Sequence, residues 1–573
     1  MENQNQAQEK APEGQASPVE QQEEINHYEQ MKSLSEEEKS LCPNKLSEFI
    51  TSFYTRGLIQ KLKEVGVKHL PIALYPSPIP KNLFEKIFFY QIAFNKIYNK
   101  LSNDQSFIEK ILEPIASKDN YIEKLLEISK KLKNFEKKQK IKLSLFRNDY
   151  ILDKNQKFLF LKKYITNTQN FEFSYSNNLL QFFNYFSEKY KNIFSRYKEK
   201  YCEIPQEKGN TVEKICEAIL EGIKLAFPKE KITEVIFIVN KNKNKFDFDL
   251  ENLRNELYDK HKIKSTKLSL NEVNTKITKD EQSNLILDGN KISLVYFASE
   301  EKDDYENEDS WKAREFLELS TAIKVPDINT FLITYKIFQY FLSKPDIIMH
   351  YNNNELILND ILRFFGGIYY IPDKSAEERK ELFEKIKSED DKYILKSFTD
   401  NKIEDIKSVI NSVGEGEPND ELIKGIITDK YEYPDHESLI IKDDNFEIQK
   451  VISEYSIYGI ILMNDNNLII NKSVSFLIKT GINKDNLEAI DLPCLIENKI
   501  EPNLLHKVEI TAEEIKKYLD DLKAAEEEAK RKEEEEKKRI EEEAKKKEEE
   551  EKKEEEKKEE VKTEENKEEN KES

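Results

Sequence analysis

The sequence predicts a mixed α/β protein with more than one core. Three observations carry this. Between 234 and 334 the apolar runs VIFIV, ISLVYF and FLIT alternate with helical stretches, the order expected of a small parallel α/β unit. Between 393 and 471 short β-type runs follow one another with turn residues between them, the pattern of an antiparallel sheet with flanking helices. The length of 573 residues exceeds a single domain several-fold at roughly 150 residues per domain.

Residues 1–32, rich in Gln, Glu, Pro and Ala, contain too few bulky apolar side chains to offset the entropy of ordering and read as a disordered tail. Ser35 followed by Glu38 has capping-box spacing, so order should begin near residue 33. After Pro76, Pro78 and Pro80, the stretch 83–101 places Phe84, Ile87, Phe88, Ile92, Phe94 and Ile97 mostly on one helical face, which is core. Residues 33–229 form a helical and mixed N-terminal part, with the embedded α/β unit at 230–335. Within 336–510, the runs 393–396, 422–428, 446–453, 457–463 and 468–471 read as strands, with a hairpin turn at Asn464-Asp465-Asn466. Residues 511–573 set glutamates four places ahead of lysines, as in Glu533/Lys537 and Glu541/Lys545. At roughly 0.2–0.5 kcal/mol per pair these support a charged single helix or a disordered tail, without an apolar seam for a coiled coil.

The net charge of −20 belongs mostly to the ends. Removing residues 1–39 and 513–573 leaves 74 acids and 70 bases, a net −4 with no basic footprint for nucleic acid. Cys42, Cys202, Cys216 and Cys494 lie far apart with no metal or disulfide spacing, so a reduced cytoplasmic protein is expected. No N-terminal signal and no apolar run of the ~20 residues a membrane helix needs point to a membrane.

The run ending at Lys396 reads as a short buried strand closing on a cation, the place where a phosphate-gripping loop begins. The residues that follow, Ser397 to Asp405, contain no glycine. Backbone amides close around phosphate oxygens only where side chains leave room, so this loop should grip a nucleotide poorly.

Several segments together resemble eukaryotic glutathione synthetase, an ATP-grasp ligase. They are LYPSPIPKNLFEKIFFYQIAFNKIY at 74–98, FRNDYIL at 146–152 and VYFASEEKDDYENEDSWKAREFLELSTAIKVPDI at 295–328, extended by ISEYSIYGIIL at 452–462 and INKSVSFLIKTG at 470–481. The resemblance implies that family's ATP-grasp fold, a homodimer, ATP and magnesium as cofactors, and γ-glutamylcysteine and glycine as substrates joined through an acyl phosphate. It further implies that Lys336 and Lys396 hold ATP phosphates, that Glu454 meets the adenosine, and that Arg147 and Lys479 bind substrate. Asn167 and Asp400 fall on magnesium-ligand positions.

Other functional positions depart from the family. Ile165 stands where a metal glutamate is expected and cannot coordinate a hard cation. Asp304 replaces a substrate arginine, and Phe246 and Leu250 replace amide side chains. Lys479 stands for an arginine, Gly481 for a lysine, and GINKDNLEAIDLP at 481–493 for a glycine-rich lid; 169–178 reads as an insertion. With roughly 2–4 kcal/mol of transition-state stabilisation lost per missing electrostatic contact, the expectation is a degenerate enzyme with ligase activity weak or lost. An active synthetase with repositioned residues and a non-catalytic docking scaffold are the alternatives.

Overall fold

Ser35 caps the helix Glu36–Thr55 by the reciprocal pair with Glu38 that its spacing foretold. The computed structural model describes residues 30–496 apart from 62–65, 167–170, 198–201, 204–210, 229–233, 241–246, 306, 353–354, 399–402, 405, 414–417 and 483–486. Both charged tails lie largely outside the described residues. The helix Lys81–Asn103 buries Phe84, Ile87, Phe94, Ile97 and Tyr98, the apolar face expected.

That helix packs on a seven-stranded sheet in the order His436–Lys442, Ile72–Ala73, Ala489–Asp491, Asn467–Gly481, Asn445–Asn464, Ile141–Leu152, Leu159–Thr166. The strand His436–Lys442 also pairs with the start of Asn445–Asn464, from His436 opposite Val451 to Lys442 opposite Asn445. The runs read separately at 446–453 and 457–463 are therefore one strand of 20 residues. It turns at Asp465, in the left-handed region with φ 54°, and returns as Asn467–Gly481. Gly459 makes room for Asn95 here, because a Cβ would lie 2.2 Å from Asn95 Oδ1. Its absence lets Asn95 reach over the strand and donate to Asn471 Oδ1 at 3.0 Å.

The embedded unit carries the parallel strands expected of it. Asn290–Phe297 pairs in parallel with Glu234–Ile238, and the latter with Lys264–Leu268. The third crossover strand is Ile323–Val325; the run FLIT, expected as a strand, lies in and just after the helix Ile328–Leu332. Asp327 decides this, since its carboxylate accepts from Thr330 N at 2.7 Å and caps the helix. Arg314 of the matched tryptophan helix Glu308–Glu318 is fully buried between Glu300 and Glu318. Its guanidinium lies 3.8 Å from the Phe297 ring centroid. This motif therefore holds the unit together.

A smaller antiparallel sheet runs Ile368–Tyr369, Gly425–Asp429, Tyr393–Ser397, Ile403–Glu404. It has its own core, with Leu382, Phe383 and Ile386 from one helix and Ile406 and Ile410 from another closing over Leu395 and Ile427. The run 422–428 is only partly strand. Asn419 caps a helical turn, Asp420–Ile423, and the strand begins at Gly425, where a Cβ would lie 2.5 Å from the Glu421 carbonyl.

Cys42 and Cys216 are free and buried. Cys494 is disulfide-bonded, which corrects the expectation of thiols alone; the wide spacing in sequence hid it. Among the described residues no helix is long and apolar enough to cross a membrane.

Candidate functional site

The small sheet faces the edge of the large one across a narrow cleft lined by Lys162, Lys336, Lys396, Gly367, Asp429 and Tyr431 among others. Its free volume is about 90 Å³, well below the roughly 300 Å³ at which small-molecule pockets begin. Tyr431 narrows it by stacking on Phe160 at 4.7 Å between centroids. Its hydroxyl lies where a Cβ on Gly366 would come within 1.7 Å.

Lys396 arrives as expected, near the end of Tyr393–Ser397, where its backbone pairs with Ile426 on one side and Ile403 on the other. The glycine-free segment that follows buries Phe398 and returns to pair with the strand at Ile403. Lys336, expected after a strand, is instead the first residue of the helix Lys336–Leu342. Its ammonium donates to the Lys162 carbonyl and to Gln339 Oε1 at 3.3 Å. Burial, helped by the Lys396, Lys162 and Lys163 cations, pushes its pKa down to about 7. An anion entering the cleft would restore its charge.

Glu454 does not stand open to a ligand. It accepts from Lys162 at 2.6 Å and is almost fully buried. Burial works against the Lys162 charge, but Glu454 outweighs it and leaves the pKa above its ordinary value. Sequence reasoning missed Lys162 and Lys163. Alternation would send neighbours to opposite faces, yet a bulge opposite Asp149 and Tyr150 lets Lys162 reach Glu454 and Lys163 reach Asp149 at 3.5 Å.

Beside the cleft the same sheet face carries Arg147, Asp149, Tyr458 and Lys479. Arg147 is fully buried and grips Asp149 with two parallel bonds of 2.7 and 2.9 Å. Burial alone would raise the Asp149 carboxyl; Arg147 and then Lys163 hold it well below the usual carboxylate range. Lys479 lies opposite Glu454 in the strand register and pairs with Glu172 at 2.5 Å. Both cations predicted to bind substrate are thus neutralised by the chain's own carboxylates.

The remaining expected residues divide. Asn167 and Asp400 lie outside the described residues, as does Phe246. Ile165 packs against the hydrophobic core, and among the described residues no group of three or more His, Cys, Asp or Glu could hold a metal ion. Asp304 accepts from Ser299 Oγ at 2.6 Å and Glu301 N at 2.7 Å, pinning the loop before the tryptophan helix. Leu250 is buried in the core.

Residues 32–490 match the family model described as eukaryotic glutathione synthase, ATP binding domain. The chain is 25% identical to the chloroplastic glutathione synthetase of Solanum lycopersicum over 73% of this chain and 75% of that one. It is 27% identical to the glutathione synthetase of Dictyostelium discoideum, covering 73% of this chain and 88% of that one. Among solved structures, a glutathione synthetase-like effector from Globodera pallida, in its apo form, superposes with a TM-score of 0.61 at 17% identity, covering 79% of this chain and 96% of that one.

Proposed function

The chain belongs to the eukaryotic glutathione synthase family, and from that premise we propose that it binds a nucleotide but has weak or no ligase activity. In the family reaction ATP activates the carboxylate of γ-glutamylcysteine as an acyl phosphate, which the amine of glycine attacks. In this reading the cleft, too narrow for a whole nucleotide as it stands, widens so that Lys336 and Lys396 hold the phosphates from its two sides, Lys162 adds charge, and Glu454 leaves its pair with Lys162 to meet the nucleoside. Magnesium would be carried mainly by phosphate and water, with Asn167 and Asp400 as the chain's own oxygen donors. Residues 336–510 take the nucleotide-gripping part, residues 230–335 the position of a substrate domain, and two copies pair as a homodimer.

The observation that carries the loss of activity is that Arg147 and Lys479 already have partners. Asp149 takes the Nε and Nη2 edge of the guanidinium, the Phe171 carbonyl accepts from Nη1, and Glu172 takes the lysine. A dipeptide carboxylate entering there must displace an internal one, and no charge is left over to repay the exchange.

Calorimetry with ATP should show binding that Lys336→Ala abolishes. The same protein given ATP, magnesium, γ-glutamylcysteine and glycine should release ADP no faster than without the peptide. Turnover within the common enzymatic range of roughly 1–1,000 per second would overturn the proposal in favour of an active synthetase.

A further inference from the structure

Five strands of the large sheet close on one another as a small barrel. His436–Lys442 pairs with Ile72–Ala73, which meets Ala489–Asp491; that strand pairs with Asn467–Gly481, the latter with Asn445–Asn464, and Asn445–Asn464 returns to His436–Lys442. Alternation along each strand then divides its side chains between the lumen and the outside. Leu439 and Ile441 join the main core, whereas Ile440, Val451 and Ala489 form a separate cluster inside the barrel. Val451 and Glu454 differ in parity along an unbulged stretch, so the lumen lies on the opposite face of Asn445–Asn464 from Glu454.

Beneath that apolar ring the lumen ends on polar side chains. Ser77 Oγ lies 3.0 Å from His436 Nε2 and 2.9 Å from Ser453 Oγ, and bonds to Asp491. Thr480 Oγ1 completes the group at 2.9 Å from Ser453 Oγ. Burial pushes the Asp491 carboxyl up to about 8 and the His436 imidazole down to about 4, so both are uncharged at pH 7. Ser438, on the lumen side between His436 and Ile440, is 1% exposed and its hydroxyl has no hydrogen-bond partner. A buried hydroxyl left in that state is open to a partner from outside the fold.

The open end of the barrel is a concavity of about 380 Å³ with Ile440, Thr480 and Ala489 in its wall, above the roughly 300 Å³ at which small-molecule pockets begin. Its rim carries three carboxylates and one ammonium. Asp443 is tied to Lys68 at 2.9 Å, and Glu488 to Lys442. Glu447 lines the same rim and has no salt-bridge partner among the described residues. An apolar wall with one uncompensated carboxylate at its edge suits a ligand that is apolar along its body and positive at one end.

We propose that the barrel mouth is a second ligand site, for a small organic cation: an ammonium group held by Glu447 on a short apolar chain that lies against Ile440 and Ala489 and points toward Ser438. The site is separate from the lysine cleft and does not depend on nucleotide binding there.

The probe is n-pentylammonium chloride on the full chain at pH 7. A dissociation constant of about 5 mM at ~50 mM ligand shifts the folding equilibrium about 11-fold, read as a saturable rise in melting temperature over sodium chloride of equal ionic strength. Pentanoate and pentanol should give no such rise. Glu447→Gln should weaken binding about 3-fold, the size expected for an exposed ion pair. Gln449→Trp, from a half-buried position on the rim, should fill the mouth and remove the response. Equal responses in wild type and Gln449→Trp, or a rise with pentanol equal to that with the ammonium, would overturn the proposal. If Gln449→Trp does not fold, Ile482→Trp places a reporter at a rim position that is 57% exposed. Its emission should move to the blue with pentylammonium and not with pentanoate, and an unchanged spectrum would count equally against the site.

Discussion

Lys336 should make the protein less stable than it needs to be, and the burden should depend on pH. In the unfolded chain its ammonium keeps the ordinary pKa of 10.5; in the cleft burial and then the neighbouring lysines bring it to about 7. Between these values the unfolded state holds more protons than the folded one, so stability rises with pH across that window and is lost as pH falls toward 7. At 1.36 kcal/mol per pKa unit the full difference is about 5 kcal/mol. The cleft is open to water, which screens the repulsion, so about 2–3 kcal/mol is the usable figure. Lys336→Met removes this burden but also the bond to the Lys162 carbonyl, worth about 1 kcal/mol. The variant should therefore be more stable than wild type by about 1–2 kcal/mol at pH 6 and less stable by about 1 kcal/mol at pH 10.5. Urea denaturation followed by circular dichroism at several pH values reads both. A stability difference flat from pH 6 to 10.5 would refute the reasoning, since a charge-independent effect has no such slope. The same logic gives a ligand signature: at pH 8 ATP binding should take up close to one proton per site, seen as a buffer-dependent heat, and at pH 5.5 almost none.

Asp149→Ala leaves the buried Arg147 without its two-bond partner and should cost about 3–5 kcal/mol, measured by denaturant unfolding. Gly459→Ala drives a methyl to within 2.2 Å of the Asn95 amide and should cost about 1–3 kcal/mol; adding Asn95→Ala should recover part of that loss, a coupling that a double-mutant cycle reads. Arg314→Met strands Glu300 and Glu318 in the core, so the variant should melt well below wild type at neutral pH and recover part of the difference as acid protonates the two carboxylates.

How far each feature was legible depended on whether its cause was local. The Ser35 cap, the helix over 81–103 and Lys396 at a strand end each follow from a few adjacent residues, and the structure has them where periodicity put them. FLIT looked like a strand because the feature that makes it helical, the Asp327 cap, precedes the apolar run. The strand Asn445–Asn464 looked broken because Glu454 and Ser456 interrupt its apolar pattern. Both are buried, and they can be so because Asp149 reaches Ser456 from the adjacent strand and Lys162 reaches Glu454 from the strand beyond it. No window of sequence contains that compensation. Lys162, Lys163 and Glu172 were invisible for a related reason: a bulge aims the lysines and a left-handed backbone aims the glutamate, and neither is written in residue type.

The residues that resemblance did find, Arg147, Glu454 and Lys479, stand together on one face of the large sheet. Each has an opposite charge within the same fold. A binding face keeps its charges unsatisfied until the ligand comes, and its free state is less stable for it. This face has Asp149, Lys162 and Glu172 in the ligand's stead, so its charges stabilise the fold. Lys336 is the exception: its depressed pKa marks a charge that the fold does not compensate. Under the proposed function, recognition of an anion therefore falls to Lys336 in the lysine cleft, the one cation of the set whose charge burial and its neighbours oppose.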